Sequence, residues 1–356
     1  MISTQIDKTV LGQIIQEHLK PFIQEVDEVG LYPKRFLNIL GENGFFHSTS
    51  LPKGSLRYRE IDLIQETANY CMTSAFTEWC HLAALTALRL SSNPFIKNDL
   101  LPALELGEIL GGTGLSNALK YYAGLENIRL KAERTAGGYF LTGSLPSVSN
   151  LDDDHWFVIV ASQNEEKRII GILPLNTKGL ISEKKTHFIG LKGSGTYSCS
   201  FDHVFIPDDW IISQNADTFI QKVRPFLVLY QIPLGIGVSH AAIQSLKDIY
   251  SRNSEGNRSL KPKIQELSGE LESLRNKTYS HAGSTDLSSI WKDILLTRLE
   301  MAKFTLKATH TDMLFSGGQS YIQGNDTFRR IREAYFLVNL SPTIKQLVDL
   351  FSKEVE

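Results

Sequence analysis

Two titratable side chains lie one helical turn apart in the sequence Glu-Trp-Cys-His, residues 78–81. Residues three positions apart share one face of a helix. Histidine is the side chain whose ordinary pKa best suits proton transfer near pH 7, and a tuned carboxylate can also take a proton from carbon. Glu78 and His81 are therefore the candidate catalytic residues. The same pattern also allows a helix that packs through Trp79 and leaves the Glu and the His partly exposed.

Two segments rich in glycine and hydroxyl groups could bind a polar ring or a phosphate. The first is Gly-Thr-Gly-Leu-Ser-Asn at residues 112–117. Its glycines let a ligand approach the backbone closely, while Thr113, Ser116 and Asn117 offer neutral hydrogen-bonding groups. The second is Leu-Pro-Ser-Val-Ser-Asn at residues 145–150. The alternatives are a glycine-rich β-turn with exposed polar residues and a polar bend after a proline.

The sequence Ser-Pro-Thr-Ile at residues 341–344 predicts the start of a helix. Ser341 would be the N-cap, and Pro342 would occupy the first helical position, where its missing N–H costs nothing. A helix N-terminus stabilises negative charge on a ligand. The Ser341 hydroxyl itself, without a partner base, cannot take a proton from carbon near neutral pH. The segment therefore predicts a cap that could help to hold an anion.

The elements that must position these residues fall into three parts. Apolar residues recur at helical spacing up to about Leu106, and glycine-punctuated β-type segments follow. Long amphipathic segments with short connections begin at Thr218 and are typical of a four-helix bundle. We predict an α+β multidomain protein with an N-terminal α-helical domain (1–110), a middle antiparallel β-barrel domain (111–212) and a C-terminal four-helix bundle (213–356). A chain of 356 residues exceeds the size at which one core keeps growing.

Composition excludes several classes of function. The net charge of −2 gives no electrostatic reason to expect nucleic acid. The longest apolar stretch, residues 225–238, is shorter than the roughly 20 residues that cross a bilayer. No basic and then apolar secretory signal is visible at the start. The three cysteines show no Cys-x-x-Cys spacing, so neither a metal site nor disulfides are expected, and a reducing cytoplasm is predicted.

The order of the three parts and several short motifs resemble the acyl-CoA dehydrogenase superfamily. Gly-Tyr-Phe-Leu-Thr-Gly at residues 138–143 resembles the hairpin before the family's flavin-binding strand, and residues 190–207 are similar to its following strand pair. Residues 317–334 resemble its Gly-Gly, Tyr, Arg and Arg-Asp-Ala ending. The matches extend along nearly the whole chain in the family's order. The resemblance implies the family's fold and its flavin cofactor.

The resemblance implies FAD, with FMN as the alternative, between the β unit and the bundle. Ser149 stands where the family has a Thr that bonds the flavin ring, while Ser147 replaces its stacking Trp. Bundle residues of a neighbouring subunit complete the family's site. The cofactor-binding residues that the resemblance implies are Thr113, Leu115, Ser116, Asn117, Ser147, Val148, Ser149, Arg258, Gly317, Gly318 and Thr343.

The family's usual catalytic base has no counterpart here. After Arg-Asp-Ala and six further residues the family carries Glu-Gly-Thr, and that Glu removes the α-proton of an acyl thioester. The Glu position reads Ser341 in this chain. Some family members carry the base on the first bundle helix instead, and the matching position, near Pro225, also lacks a carboxylate. The chain therefore resembles a divergent member without the usual glutamate.

The resemblance implies an FAD-dependent oxidoreductase that dehydrogenates an acyl thioester, either acyl-CoA or carrier-protein-bound. The base would be non-standard, with Glu78 or His81 as candidates. One alternative is a flavin monooxygenase of the same fold that receives reduced flavin and needs no such base. Another is a non-catalytic relative that binds flavin or protein. A homodimer or homotetramer through the bundle, and an electron-transfer or reductase partner, are also implied.

Overall fold

Five α-helices precede the sheet in the structure, a computed structural model that describes residues 7–48 and 54–352. The first helix begins where the Asp7 carboxylate accepts hydrogen bonds from the backbone N–H groups of Thr9 and Val10. The fourth is buried from Met72 to Leu88, and its polar side chains Glu78 and His81 are buried with the apolar ones. The five are α1 (Lys8–His18), α2 (Lys34–Glu42), α3 (Ser55–Tyr70), α4 (Met72–Leu90) and α5 (Leu101–Glu105).

Eight strands follow, with the short helix α6 (Ser116–Tyr121) between the first two. The second and third strands form a tight hairpin in which Gly137 adopts a positive φ of 78°, a conformation that glycine accepts without strain. The strands are β1 (Gly111–Thr113), β2 (Leu130–Thr135), β3 (Gly138–Val148), β4 (Trp156–Ser162), β5 (Arg168–Pro174), β6 (Leu180–Lys184), β7 (Tyr197–Pro207) and β8 (Ile211–Ser213).

The strands form one open, mixed sheet. Their order is β6-β7-β3-β2-β4-β5-β8, and β1 pairs with β4 outside this path. β1 and β2 run parallel to β4, while the other pairs are antiparallel. The predicted antiparallel barrel is not confirmed, because the path ends at β6 and β8 and the sheet does not close. β2 and β4 meet at one residue pair, Lys131 with Ser162, so the two halves of the sheet are joined weakly there.

The central strands are buried on both faces. Successive side chains of a strand point to opposite faces of a sheet. In β4, Phe157 and Ile159 enter a core formed by the sheet alone, whereas Val158 and Val160 enter the larger core that the helices share. A run of apolar residues without polar alternation is the sequence expected for such a strand.

Six helices follow the sheet. The amphipathic segment that begins at Thr218 is divided into two helices at Tyr230 and Gln231, and the C-terminal segment is divided between Leu340 and Thr343. Three of the six are long, with 21, 23 and 26 residues, and α8 packs against α3, α9, α10 and α11. The six are α7 (Ala216–Leu229), α8 (Ile232–Arg252), α9 (Leu260–Ala282), α10 (Trp291–Ser316), α11 (Asp326–Asn339) and α12 (Ile344–Ser352).

The segment formed by α7 and α8 is long and apolar enough, by length and composition alone, to cross a membrane. It is the one such segment in the described part of the chain. Its most apolar stretch is 83% buried inside the protein. Burial by other protein elements accounts for its composition, since a core helix has no need of a polar face.

The predicted domain boundaries at residues 110 and 212 stay a prediction. The strands lie between Gly111 and Ser213, but the apolar core does not stop at either boundary. Leu82 of α4, Val158 of β4 and Leu234 of α8 belong to one continuous core. The three parts of the chain therefore meet along extended apolar surfaces, and the spaces left between them are the places where a ligand could bind.

Candidate active site

A cavity of about 290 Å³ lies where the sheet, α4 and the connection between α11 and α12 meet. α4 contributes Phe76 and Trp79, whose rings stack with centroids 5.6 Å apart. The Trp79 indole N–H donates to the backbone carbonyl of Leu227 at 3.0 Å, which fixes the ring. The other lining residues are Thr113, Leu115, Ser116, Leu119, Lys120, Ser147, Ser149, Phe188, Gly190, Leu191, Ser194, Thr196, Leu227, Phe336, Asn339, Leu340, Ser341 and Thr343.

Hydroxyl groups dominate the polar part of the lining. Of the described residues that line the cavity, Lys120 is the one with an ionisable side chain, and no carboxylate or imidazole is present. The described surface therefore offers mainly neutral hydrogen bonds, and it lacks the carboxylate or imidazole that most often serves as a general base. The hydroxyl-bearing residues are Thr113, Ser116, Ser147, Ser149, Ser194, Thr196, Ser341 and Thr343.

A hydrogen-bonded group of side chains fixes Ser149 at the end of β3. Its hydroxyl lies 2.9 Å from the hydroxyl of Thr196, which in turn lies 2.8 Å from that of Ser194. The backbone N–H of Thr113 donates to the Ser149 carbonyl at 3.2 Å, which ties this segment to β1. The side-chain amide of Asn150 donates to the Gly111 carbonyl at 2.8 Å, and its oxygen accepts from the Tyr32 hydroxyl. Ser149 is thus held before any ligand arrives.

A second hydrogen-bonded chain fixes Ser341 between α11 and α12. The Ser341 carbonyl accepts a 2.9 Å hydrogen bond from the side-chain amide of Gln231. The Gln231 oxygen accepts from Nε of the buried Arg298 at 2.9 Å, and another Arg298 nitrogen donates to the Leu337 carbonyl. The Ser341 hydroxyl lies 3.5 Å from that of Ser116. This corner of the cavity is therefore anchored in the interior of the bundle.

The prediction that Ser341 caps α12 is wrong. The helix begins at Ile344, and Thr343 is the residue that caps it. The Thr343 hydroxyl accepts from the backbone N–H of Gln346 at 3.3 Å, and the Gln346 side chain accepts from the N–H of Thr343 at 2.8 Å. This reciprocal pair is a capping box. Ser341 lies two residues earlier, where its hydroxyl faces the cavity.

The structure does not support Glu78 as a catalytic residue. The side chain is fully buried and points away from the cavity towards α3. One carboxyl oxygen accepts a 2.8 Å hydrogen bond from the Thr67 hydroxyl, while the other has no hydrogen-bond partner among the described residues. Burial raises the pKa of Glu78 to about 8, because charge is unfavourable in this environment. The Glu is a protonated part of the packing between α3 and α4.

His81 is also a structural residue in this arrangement. Its Nδ1 accepts the backbone N–H of Gly111 at 2.9 Å, and its Nε2 lies 3.1 Å from the Leu104 carbonyl. The first contact requires an unprotonated Nδ1 and the second a protonated Nε2, so the ring is neutral. Burial lowers its pKa to about 3. Glu78 and His81 share a helix, but α4 is enclosed on all sides and neither residue reaches the cavity.

The predicted cofactor-binding residues divide into two groups. Thr113, Leu115, Ser116, Ser147, Ser149 and Thr343 line one cavity. Asn117 does not, because its side chain bonds the Asn127 carbonyl and the Arg129 N–H, and Val148 is buried in the core of the sheet.

Arg258, Gly317 and Gly318 also lie outside this cavity. Arg258 is in the connection between α8 and α9, and the two glycines follow α10. A Cβ atom built on either glycine would meet no other atom within 4 Å, so their backbone is open to an incoming group. Within one chain, the structure does not bring these three residues together with Ser149 and Thr343.

The described residues also include one cluster of metal-ligand types, Asp152, Asp154 and His155. The ammonium group of Lys34 lies 2.7 Å from a carboxyl oxygen of Asp154 and 3.3 Å from one of Asp152. The Lys34 ammonium group therefore already supplies a positive charge beside these carboxylates. The expectation that the chain holds no metal stays a prediction.

Several residues of the site were missed in the sequence. Gln231 and Arg298 are the clearest cases, and Thr196 and Asn150 are others. Gln231 interrupts an otherwise apolar run, and a polar residue buried in such a run must find a partner. That rule identifies Gln231 as important without revealing its partner, which lies 67 positions away.

Known proteins with similar sequences are acyl-CoA dehydrogenases. The probable acyl-CoA dehydrogenase FadE25 of Mycobacterium tuberculosis is 22% identical over 256 residues, 68% of this chain and 65% of that protein. The chain thus spans about two thirds of the first curated relatives that it matches. Mitochondrial isovaleryl-CoA dehydrogenase of Arabidopsis thaliana is 23% identical over 352 residues, 92% of this chain and 85% of that protein. No protein-family model matches the chain.

Similar solved structures have the same architecture. Butyryl-CoA dehydrogenase of Megasphaera elsdenii superposes with a TM-score of 0.86 at 18% identity, covering 98% of this chain and 96% of that one. The chain therefore has the same fold as that protein, with helices before and after a sheet in the sequence. These relatives support the assignment of the chain to the acyl-CoA dehydrogenase superfamily, and the shared fold agrees with it.

Replacing Glu78 by Gln tests whether this carboxyl group is structural. A pKa raised to about 8 means that the folded protein keeps a proton that the unfolded chain releases above about pH 4.5. The wild-type protein therefore loses stability as the pH rises between these values. From pH 5 to pH 8, we expect the unfolding free energy of Glu78→Gln to rise relative to wild type by at least about 1 kcal/mol. Urea denaturation of both proteins at both pH values measures this difference in unfolding free energy. The exposed Glu108→Gln variant is the control, and a pH-independent difference for Glu78→Gln would contradict the assignment.

Replacing Gln231 by Leu tests the anchoring of the Ser341 corner. The change removes the donor to the Ser341 carbonyl and the acceptor of the buried Arg298 guanidinium. We expect the free energy of unfolding to fall by about 1–3 kcal/mol, the cost of leaving buried polar groups without partners. Gln244→Leu, at an exposed position of α8, should change this free energy by less than about 0.5 kcal/mol. Equal effects of the two substitutions in urea denaturation would show that this buried chain of hydrogen bonds does not stabilise the protein.

Proposed function

We propose that the chain is a flavin-dependent oxidoreductase that acts on an acyl thioester in the cavity beside Ser149 and Ser341. The proposal rests on one observation: in a member of this superfamily, six of the residues expected at the flavin line a single cavity. FAD, when bound, would supply the acceptor for a hydride from the substrate. FMN is the alternative cofactor.

The residues of the cavity fit a flavin ring. Such a ring presents neutral donors and acceptors, and the lining offers hydroxyls without a carboxylate that would repel negative charge on the cofactor. Ser149 is the residue proposed to bond the ring, because its hydroxyl is already oriented by Thr196. A cavity of about 290 Å³ is at the lower end of ligand-site volumes, so it would take the ring system, with the remainder of the cofactor extending beyond it.

The base for α-proton removal is left unassigned. Glu78 and His81 do not reach the cavity, and the described lining residues include no other carboxylate or imidazole. This observation favours a second candidate function, a monooxygenase of the same fold that receives reduced flavin and uses oxygen. Turnover of an acyl thioester with exclusion of oxygen supports the dehydrogenase and eliminates the monooxygenase. A protein that cannot be reconstituted with flavin would instead be the non-catalytic relative.

We also propose that a second copy of the chain completes the site, in a homodimer or homotetramer. Arg258, Gly317 and Gly318 would then contact the cofactor of the neighbouring copy. Exposed apolar side chains near the two glycines support this arrangement, since such side chains gain from burial. They are Leu314, Tyr321, Ile322 and Tyr335. Light scattering of the purified protein, which should give twice or four times the mass of the chain, tests the proposal.

A cytoplasmic location and an electron-transfer or reductase partner complete the proposal. Cys71, Cys80 and Cys199 are buried and unpaired, which suits a reducing compartment. Both candidate reactions need a second protein, either to take electrons from the flavin or to supply them.

Ser149→Ala tests the proposed contact with the flavin. One neutral hydrogen bond contributes about 1 kcal/mol, so we expect FAD affinity to fall by about fivefold. Titration of the purified protein with FAD, followed by the change in flavin absorbance and fluorescence, measures the affinity. Ser144→Ala, at an exposed position of the same strand, is the matched control. Unchanged FAD affinity in Ser149→Ala would remove Ser149 from the site, and a failure of wild type to bind FAD or FMN would overturn the proposed function.

A further inference from the structure

A second, larger cavity adjoins the first. Its volume is about 420 Å³, and it lies between α6, α7, α10 and α12. Leu119, Lys120 and Ser341 line both cavities, so these three residues form the boundary between them. Most of the remaining lining is apolar, and Leu295 and Leu347 are two of its buried members. A hydrocarbon chain that leaves the first cavity past Ser341 would find an apolar surface here.

Arg224 is the feature of this cavity that packing does not explain. Its guanidinium lies over the ring of Trp291, 4.9 Å from the centroid. Nε is buried and has no hydrogen-bond partner, and no carboxylate of the described residues forms an ion pair with the side chain. Burial lowers the pKa of Arg224. The side chain as a whole is half-buried. A buried polar nitrogen without a hydrogen-bond partner is costly, and a ligand with a negative charge would satisfy it.

The acidic and basic groups nearby leave this charge unbalanced. Lys120 is paired with Glu126 at 3.4 Å, so these two charges offset one another. Asp349 lines the cavity, but it is exposed and makes no ion pair with Arg224. The cavity therefore presents a guanidinium that forms no ion pair with any carboxylate of the described residues.

Arg298 of α10 adds a second positive charge near the second cavity. Trp291, Leu295 and Arg298 follow one another on one face of α10, because they are four and three residues apart. Arg298 is buried and donates to the neutral acceptors Gln231 and Leu337, and its Nη1 has no partner among the described residues. Two guanidinium groups that form no ion pair with a described carboxylate favour a positive electrostatic potential in this region.

We propose that Arg224, stacked on Trp291, binds a carboxylate at the far end of the substrate's acyl group. The substrates would then be thioesters of dicarboxylic acids. The planar guanidinium matches a carboxylate through paired hydrogen bonds, and the apolar wall suits the methylene groups between the two ends of the substrate. The inference rests on the proposed function, because it takes the thioester to lie in the first cavity.

Matched pairs of CoA thioesters test this specificity. Adipoyl-CoA and hexanoyl-CoA have acyl chains of equal length and differ in having a carboxylate or a methyl group at the end. Succinyl-CoA with butyryl-CoA, and suberoyl-CoA with octanoyl-CoA, extend the comparison to shorter and longer chains. Isothermal titration calorimetry on the FAD-reconstituted protein gives the affinity for each. We expect the dicarboxylic thioester of at least one pair to bind more tightly than its neutral partner.

Substitution of Arg224 then identifies the group responsible. In Arg224→Gln, we expect the affinity ratio of the preferred pair to fall by about tenfold to about a hundredfold, the range for a hydrogen-bonded charge. Arg224→Lys should retain part of the preference, because it keeps the charge but not the planar fork. Lys222→Gln, an exposed position on the same helix, should keep the wild-type ratio.

The outcomes separate this inference from the proposed function. If the neutral thioesters bind and react but no pair shows a preference for the carboxylate, the inference fails and the proposed function stands. If Arg224→Gln weakens both members of each pair equally, the anion at Arg224 is a phosphate of the carrier, which also overturns the inference. If no thioester binds, the proposed function fails and the inference fails with it.

Discussion

The backbone carbonyl of Ser341 accepts a hydrogen bond from the side chain of Gln231, inside the bundle. The Gln231 oxygen accepts one in turn from the buried Arg298. Both cavities depend on this chain of hydrogen bonds, because Ser341 lies on their common boundary. Gln231 can perform this function because its amide donates on one side and accepts on the other. A hydrogen-bonded polar group in an apolar core also favours one arrangement of the surrounding helices. The connection between α11 and α12 is thereby placed against the sheet.

Local sequence patterns predicted much of the fold, and long-range pairing accounts for what they missed. The apolar strand β4 and the hairpin glycine at Gly137 follow from rules that act within a few residues. The closure of a barrel does not, since it depends on which distant strands become neighbours, and here β6 and β8 stay apart. The capping of α12 was visible as Thr343 and Gln346 at the spacing of a capping box, but the neighbouring Ser-Pro pair suggested an earlier start.

The same difference between local patterns and long-range contacts applies to the candidate site. Ser149, Thr113 and Thr343 were identified through motifs and lie together in one cavity. Glu78 and His81 were chosen because they share a helical face, yet a helix that is enclosed on every side has no face that must point to a ligand. Their contacts with Thr67, Gly111 and Leu104 come from other parts of the chain. Side-chain direction in a buried helix is a property of the packing, which a single sequence does not reveal.

The chemistry of the site follows from the described lining of the first cavity, which has many hydroxyls and includes no carboxylate. Such a surface suits a flavin and leaves the source of proton removal open, so the claim that most needs a test is the reaction itself. The most direct measurement is an anaerobic titration of the FAD-reconstituted protein with acyl thioesters, including dicarboxylic ones, followed by flavin absorbance. The proposed dehydrogenase predicts that the absorbance of oxidised flavin near the visible maximum is lost as substrate is added. Flavin that keeps its full absorbance with every thioester would contradict the account.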